Sequence, residues 1–420
     1  MNSSLNAALM GNNLTAVRPG AADRLNDGLA CGGTTFDGII CFGGVDWWYH
    51  NRGHYDLQMM RELSAAIPIL YVNSIGMRLT SAGPRSNFFR RVRRKLASVA
   101  RGRVQVRANM TVFSPFAPPV SFGRSFLRRG LTWQVQSVSR SLGIHHPLVW
   151  VACPPAADVL DALKPRAVVY QRTDRYENYP GVEPLRIVAL DRALKTRAEL
   201  TLFCSSMLLD EERQQCRHAL FVDHGVDFAL FAEASLNVHP PAGLATLPSP
   251  RIGYVGNLEP HRVDHALLSK LAHLLPEFQF VIVGPGALDS ELSHRPNVHH
   301  FPQQPYEDVA AFMAACDVLI MPWNDNAWIR ACNPVKLKEY LATGRPIVST
   351  PFEELRRYEG FVHVARGAEM FAARIRAAVQ SPDDPWRLRN RVRHETWETK
   401  AHSVLEALRQ QNVHYQRLER

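Results

Sequence analysis

Short β-branched or aromatic runs punctuate the chain: DGIICFGG from residue 37, PILYVNS from 68, PLVWVAC at 147–153, AVVYQRT at 167–173 and LTLFCSS at 200–206. Between them apolar positions recur with helical spacing, as in HYDLQMMRELSAA at 54–66. Buried runs of this length separated by helical stretches predict parallel strands with helices on both sheet faces. Residues 236–250, LNVHPPAGLATLPSP, contain four prolines and no charged side chain, which predicts a linker. The pattern then restarts. RIGYVGN reads as a strand, VDHALLSKLAHLL as a helix and FQFVIVGPG as a strand ending in Gly-Pro-Gly. A helix near 306–315, a strand DVLIMP, a helix over 334–343 and a strand PIVST complete a second α/β unit. The expected organisation is a flexible tail over 1–35, α/β domains over 36–235 and 251–385, and charged amphipathic helices over 386–420.

Composition narrows the class. With 46% hydrophobic and 21% charged residues in 420, the chain is neither wholly disordered nor a coiled coil. Its apolar runs fall well short of the ~20 residues that span a bilayer, and the first thirty residues show no signal pattern. Seven cysteines, odd in number and without a CxxC pair, favour reduced thiols in a cytosolic protein. The net charge of +10 is unevenly placed. No Asp or Glu occurs between Glu62 and Asp158, and that stretch carries fourteen Lys or Arg. A field of this kind attracts polyanions: nucleic acid, an anionic membrane or a phosphorylated lipid.

The densest chemical signal is NPVKLKEYLATGRPIVST at 333–350. Asn333 is expected as N-cap, Pro334 as the first helical residue and Gly344 just past the end. A helix starting abruptly after a strand presents its N-terminal amides to an anion. Lys336 in the first turn and Glu339 one turn deeper would suit a nucleotide, lysine to diphosphate and carboxylate to ribose. The same spacing also fits a solvated i,i+3 ion pair.

These residues, together with GYVGNLEPHRVD at 253–264, FVIVGPG at 280–286 and DVLIMPW at 317–323, resemble the GT-B glycosyltransferases, over about 37–400. Within that fold the chain is similar to bacterial capsule and exopolysaccharide transferases of the teichuronic-acid and xanthan glucuronosyltransferase types. The resemblance implies two Rossmann-like domains with a cleft between them, acceptor in the first and donor in the second. It also implies C-terminal helices that return to the first domain. Donor contacts map onto Gly256, Asn257 and Arg262 beside Lys336 and Glu339. No cofactor is implied beyond the nucleoside-diphosphate sugar as co-substrate. Many retaining members have a Glu eight residues before the ribose-binding Glu; here that position is Ala331.

AVVYQRTDRYENY places Asp174 just past a buried strand, where α/β proteins put functional groups. A carboxylate there could take a proton from an acceptor hydroxyl, or pair with Arg172 or Arg175. The segment resembles the VYxxxD element of the xanthan-type enzymes, which implies Asp174 as the base of an inverting transfer. FVDHGVDFALF at 221–231 resembles the family's interdomain crossing. GGVDWWYHNRGHYD at 43–56 offers Asp46, Arg52 and His54 at the first strand's end as candidate acceptor or cleft groups. Trp47, Trp48 and Tyr49 there suit either a sugar or the core. No metal site is expected: there is no D-x-D triplet, and the His pairs at 145–146 and 299–300 lack helical ligand spacing.

The tract PRSNFFRRVRRKLASVARGR at 84–103 joins Phe88 and Phe89 to Arg90, Arg91, Arg93 and Arg94. Phe89, Val92, Leu96 and Val99 form an apolar stripe flanked by cations, the pattern of a helix lying on an anionic membrane or of a core-facing helix with a solvated outer side. SFGRSFLRRG at 121–130 repeats the theme. The expectation is a cytoplasmic enzyme peripherally bound to the inner face of the membrane, moving sugar to a lipid-linked saccharide. The alternatives are a soluble acceptor, or a non-catalytic basic module for lipid or nucleic acid; no nucleic-acid partner is expected, since no binding module is recognisable.

Overall fold

The computed structural model describes residues 33–49, 53–75, 85–116, 124–179 and 181–417, with the backbone alone for the helical stretches 85–92 and 124–127. The candidate Arg52 therefore lies outside the described residues, as do the side chains of Phe88, Phe89, Arg90 and Arg91.

The first sheet is built from β2 (Gly38–Phe42), β3 (Ile69–Val72), β4 (Arg103–Arg107), β5 (Met110–Phe113), β6 (Pro147–Val151), β7 (Ala167–Arg172), β8 (Leu200–Phe203) and β9 (Ala219–Phe221). Their order is β4-β5-β3-β2-β6-β7-β8-β9, and every pair except β4–β5 is parallel. All five residues of β2 are buried because both faces are covered. Ile39 and Cys41 enter one apolar core, Ile40 and Phe42 the other, as the period of two requires. Helices α1 (Tyr55–Leu63), α2 (Arg85–Arg101), α3 (Arg124–Ser141), α4 (Pro184–Arg197) and α5 (Ser206–Glu212) connect the strands.

Helix α6 (Phe228–Leu236) leaves the first sheet, and its Phe231 is buried in the core of the second. The uncharged stretch that follows carries a short turn, Ala242–Ala245, whose Leu244 joins that same core. The second sheet comprises β10 (Arg251–Val255), β11 (Gln279–Val283), β12 (Val298–Phe301), β13 (Val318–Met321), β14 (Ile347–Ser349) and β15 (His363–Val364). All its pairs are parallel, in the order β12-β11-β10-β13-β14-β15. Its helices are α7 (His265–Leu274), α8 (Tyr306–Ala314), α9 (Val335–Thr343) and α10 (Ala368–Gln380). Asp264 caps α7 by accepting the amide hydrogen of Leu267, 2.8 Å.

The C-terminal helices divide between the domains. Leu388 and Val392 of α11 (Pro385–Val392) pack in the second core. Trp397, Val404 and Leu408 of α12 (Trp397–Gln410) pack in the first, against the core that holds Tyr55 and Leu57 of α1. The chain then ends in β16 (Val413–Tyr415), parallel to β1 (Thr34–Phe36). Strand order reverses between β2 and β6 in one sheet and between β10 and β13 in the other. Ligand crevices form outside the carboxyl ends of strands at such switch points. Among the described residues no helix is long and apolar enough to cross a membrane.

Candidate active site

The second-domain side begins where β10 ends. The chain turns at Gly256 with φ +154°, and a β-carbon there would lie 2.0 Å from Lys336 Nζ. Lys336 sits in the first turn of α9 and donates a hydrogen bond to Tyr254 Oη, 3.2 Å. Its ammonium is 4.5 Å from the Tyr254 ring centroid and 5.6 Å from that of Trp323. Burial, followed by the neighbouring Arg262 guanidinium, pushes its proton affinity down to about 7, with Glu339 opposing. The start of α9 differs from expectation by one residue: Pro334 is the N-cap, its carbonyl accepting from Leu337 N at 3.2 Å. Asn333 does not cap because its side-chain amide donates across the domain boundary to the Cys204 carbonyl, 2.8 Å.

Glu339 is buried, and no ion pair joins it to Lys336, so the solvated i,i+3 arrangement is not formed. Its Oε1 lies beside the loop that leads into α1: a β-carbon built on Gly53 would be 3.9 Å from that oxygen and 3.6 Å from the Tyr306 ring. Burial raises its carboxyl to about 7 against the pull of Lys336 and Tyr306. Asn257 turns its side-chain oxygen to the Glu259 amide, 2.9 Å, while its carbonyl accepts from Tyr254 Oη, 2.9 Å. Arg262 stacks on Trp328, with Cζ 4.5 Å from the ring centroid.

From the first domain, the loop after β7 brings Asp174. Arg172 is fully buried and turns to Glu177 (3.0 Å), Asp191 (3.3 Å) and Glu212 (3.0 Å), while Arg175 pairs with Glu211. Neither arginine forms a salt bridge to Asp174. The Asp174 carboxylate instead accepts a hydrogen bond from Tyr179 Oη, 2.7 Å. Burial raises its proton affinity above the ordinary range; the Tyr179 hydroxyl, then Arg262 from the other domain, then Arg172 pull it down. Arg262 thus lies within electrostatic reach of both Asp174 and Lys336 and links the two sides of the cleft. Ala331 is buried against Phe203 and Leu208, an apolar setting at the position where a carboxylate would complete the paired-Glu motif.

The remaining first-domain candidates are spread along the loop after β2. Asp46 accepts from Trp48 N at 3.0 Å and so shapes its own turn. His54 is exposed at the N-cap of α1 and its carbonyl accepts from Gln58 N, 3.1 Å. The turn at Gly43 and Gly44 is held by buried Asp56, which accepts from Gly44 N and Tyr71 Oη, both 2.8 Å. Trp47 packs edge-on against Tyr71, with ring centroids 5.5 Å apart. Arg101 of α2 lies 4.7 Å from the Trp48 ring centroid, and Arg94 lies 5.4 Å from that of Tyr49.

The acid-free region has a polar inner and an exposed outer side. Ser98 of α2 is buried against Ser114 (2.9 Å), and Lys95 donates to the Ser74 carbonyl (3.1 Å). Arg93, Arg94 and Leu96 face outward, Leu96 at 60% exposure. In the same acid-free stretch of sequence Phe116 (60% exposed) and Trp133 on α3 (71%) are also turned outward. Gln134, beside Trp133, holds the Phe116 backbone through two hydrogen bonds of 3.0 and 3.1 Å. Among the described residues no group of His, Cys, Asp and Glu could hold a metal ion. A cavity of about 530 Å3 opens beside β14 and β15, lined by Arg330, Phe352, Arg356 and Arg366 among others; Asp174, Arg262 and Lys336 do not line it.

Four aromatic residues were not singled out from the sequence: Tyr254 and Trp323 beside Lys336, Trp328 beneath Arg262, and Tyr179 on Asp174. An aromatic residue at or just past a strand's carboxyl end was the available signal for Tyr254 and Trp323; Trp328, in the single helical turn Ala327–Arg330, and Tyr179, in a loop, had none.

Two facing Rossmann-type domains with switch-point crevices and a shared C-terminal helix define the GT-B fold, and this chain has it. Residues 249–381 match the family model described as glycosyl transferases group 1. A Bacillus subtilis (strain 168) protein named for glycosyl transfer in teichuronic acid biosynthesis, TuaH, is 29% identical over 134 residues; the match covers 31% of this chain and 33% of that protein. Sucrose-phosphate synthase from Thermosynechococcus elongatus superposes with a TM-score of 0.64 at 15% identity, covering 89% of this chain and 98% of that one. Anabaena HepE in complex with UDP and glucose gives 0.62 at 13% identity, covering 89% and 99%.

Proposed function

We propose that this chain is a glycosyltransferase moving one sugar from a nucleoside-diphosphate sugar to a lipid-diphosphate-linked saccharide during polysaccharide assembly. The observation that carries the reading is that Arg262 stands within electrostatic reach of both Asp174 of the first domain and Lys336 of the second. Lys336 and Arg262, with the amides at the start of α9, would hold the donor diphosphate and stabilise it as it leaves. Glu339 would take the ribose hydroxyls, and Gly256 with Asn257 would line the phosphate approach. Asp174, raised in proton affinity, would remove the acceptor hydroxyl proton as that oxygen attacks the anomeric carbon, an in-line displacement that inverts configuration. The burial of Ala331 among apolar side chains supports a mechanism without a second carboxylate at that position.

The UDP-glucose complex of HepE supports uridine diphosphate sugars as the first donors to test. The teichuronic-acid name of the B. subtilis relative supports a polysaccharide product. The outward Leu96, Phe116 and Trp133 within an acid-free, arginine-rich stretch support docking on the anionic cytoplasmic face of a membrane, where a lipid-linked acceptor resides. A soluble acceptor is the second reading, favoured by the likeness to sucrose-phosphate synthase. Thermal unfolding against a panel of nucleoside diphosphates and their sugars tests the donor half, since a ligand that binds only the native state raises its stability. No shift with any of them would overturn it.

A further inference from the structure

We infer that Tyr179 is a positioning residue for Asp174, and that it takes its own place from Trp328 of the opposite domain. The inference rests on Asp174 acting as the base. Tyr179 follows a single helical turn, Tyr176–Asn178, after β7. Its hydroxyl donates to Asp174 Oδ2 at 2.7 Å, the carboxylate's one side-chain hydrogen bond among the described residues. The ring packs edge-on to Tyr176, 5.7 Å between centroids, and tilted on Trp328, 6.3 Å away at 53°. It touches the apolar cores of both domains. Trp328 is itself fixed. Asn326 caps its turn by accepting from Ile329 N (2.9 Å) and donates to the His261 carbonyl (2.7 Å), and Arg262 stacks on the indole.

One aromatic contact therefore joins the group that orients the base to the group that carries the cleft arginine. If the domains part, Tyr179 loses the indole and Asp174 loses Arg262 together. The carboxylate would then be held in its aim only when the donor half is in place. The charged and titratable groups facing Asp174 are Arg172 from β7, Tyr176 and Tyr179 from the following turn, Arg262 from the loop after β10, Cys204 after β8 and Cys332 before α9.

The test needs no substrate. In full-length protein labelled with 13C at aspartate side-chain carboxyls, the Asp174 resonance is assigned by its loss in Asp174→Asn, and its titration midpoint is followed. Removing one donor that favours the charged form should raise the midpoint by about half to one pH unit in Tyr179→Phe. Trp328→Leu should raise it too, and the double variant no further than the larger single shift. Placing 3-fluorotyrosine at 179, a stronger donor of the same shape, should lower the midpoint and covers the case in which Tyr179→Phe folds poorly. An unmoved midpoint in Tyr179→Phe and with fluorotyrosine would overturn the positioning role. Full additivity of the two substitutions would overturn the link through Trp328. Transfer activity retained by Asp174→Asn would instead remove the base assignment on which the inference rests.

Discussion

A β-carbon on Gly256 would lie 2.0 Å from the ammonium nitrogen of Lys336. The strand-ending glycine and the first-turn lysine, eighty residues apart in sequence, therefore share one small volume at the mouth of the crevice. Any side chain at 256 must drive the lysine off Tyr254. Gly256→Ala should weaken UDP-glucose binding as much as Lys336→Ala does. A charge-assisted contact contributes ~1.5–3 kcal/mol, so each loss should be roughly ten- to hundredfold. Calorimetry showing unchanged affinity in a folded Lys336→Ala protein would reject the donor assignment.

Donor affinity should also depend on pH. Lys336 is held down to about 7 in the free protein, and a diphosphate beside it favours the charged form. Affinity should be full below that value and fall by up to ~tenfold per pH unit above it, until the bound lysine itself titrates. Binding at pH 8 must then take up protons, read by calorimetry in buffers of different ionisation enthalpy. Proton release at pH 8 would contradict the arrangement.

Asp174→Asn should fold and bind donor yet transfer sugar at least ~100-fold more slowly, the loss expected when a general base is removed. The anomeric configuration of the wild-type product, read from NMR couplings, should be inverted relative to the donor. A retained configuration would rule out the inverting displacement even if the variant were inactive.

Two lysines two positions apart on α9, Lys336 and Lys338, should behave oppositely. Lys338 is buried with Asp223 (2.8 Å) and Glu395 (2.9 Å), and Lys400 closes the cluster onto Asp223 (2.6 Å). Lys338→Ala removes one of the two cations of this cluster, leaving Asp223 and Glu395 to Lys400 alone, and should destabilise the protein by ~1–3 kcal/mol in urea denaturation. Lys336→Ala should leave stability nearly unchanged, because no salt bridge ties its ammonium down and the neighbouring Glu339 carboxyl, raised to about 7, can take up a proton instead. Equal destabilisation would show that both lysines serve the fold.

Membrane docking should combine aromatic burial with attraction to anionic head groups. Each Arg near such a surface contributes ~1 kcal/mol, and salt screens it. Replacing Arg90, Arg91, Arg93 and Arg94 by Gln, or Phe116 and Trp133 together by Ser, should release the protein from phosphatidylserine vesicles. Co-sedimentation unaffected by either set, or absent in the parent, would favour the soluble acceptor.

The elements legible in the sequence are those whose signals are local. DGIICFGG, AVVYQRT and DVLIMP announce buried strands by composition, and Gly344 ends α9 where expected, in the left-handed region at φ +70°. Lys336 and Glu339 could be singled out because the helix that carries them is legible as a helix. What stayed hidden depends on partners remote in the chain. Nothing near Lys338 announces Glu395, 57 residues on, and the Asn333 side chain is diverted by a carbonyl 129 residues away. Tyr179 could be read as one more aromatic in a polar loop until Trp328 of the other domain stood against it.

The chain passes between the domains twice, and the two passages run side by side. Val226 bridges to Thr396, and its amide donates to the Glu395 carbonyl at 2.8 Å. The buried ion cluster fastens that seam to α9. A β-carbon on Gly225 would come within 2.6 Å of the Trp397 backbone, so the fit admits no side chain. The seam is not the whole boundary: Asn333 reaching Cys204, Glu354 accepting from Ser206 and Ala331 packed on Phe203 and Leu208 hold the domains along a broad front. Contacts spread so widely fix where the loop after β7 stands against the loop after β10, so Asp174 and Arg262 face each other in a register that both domains set.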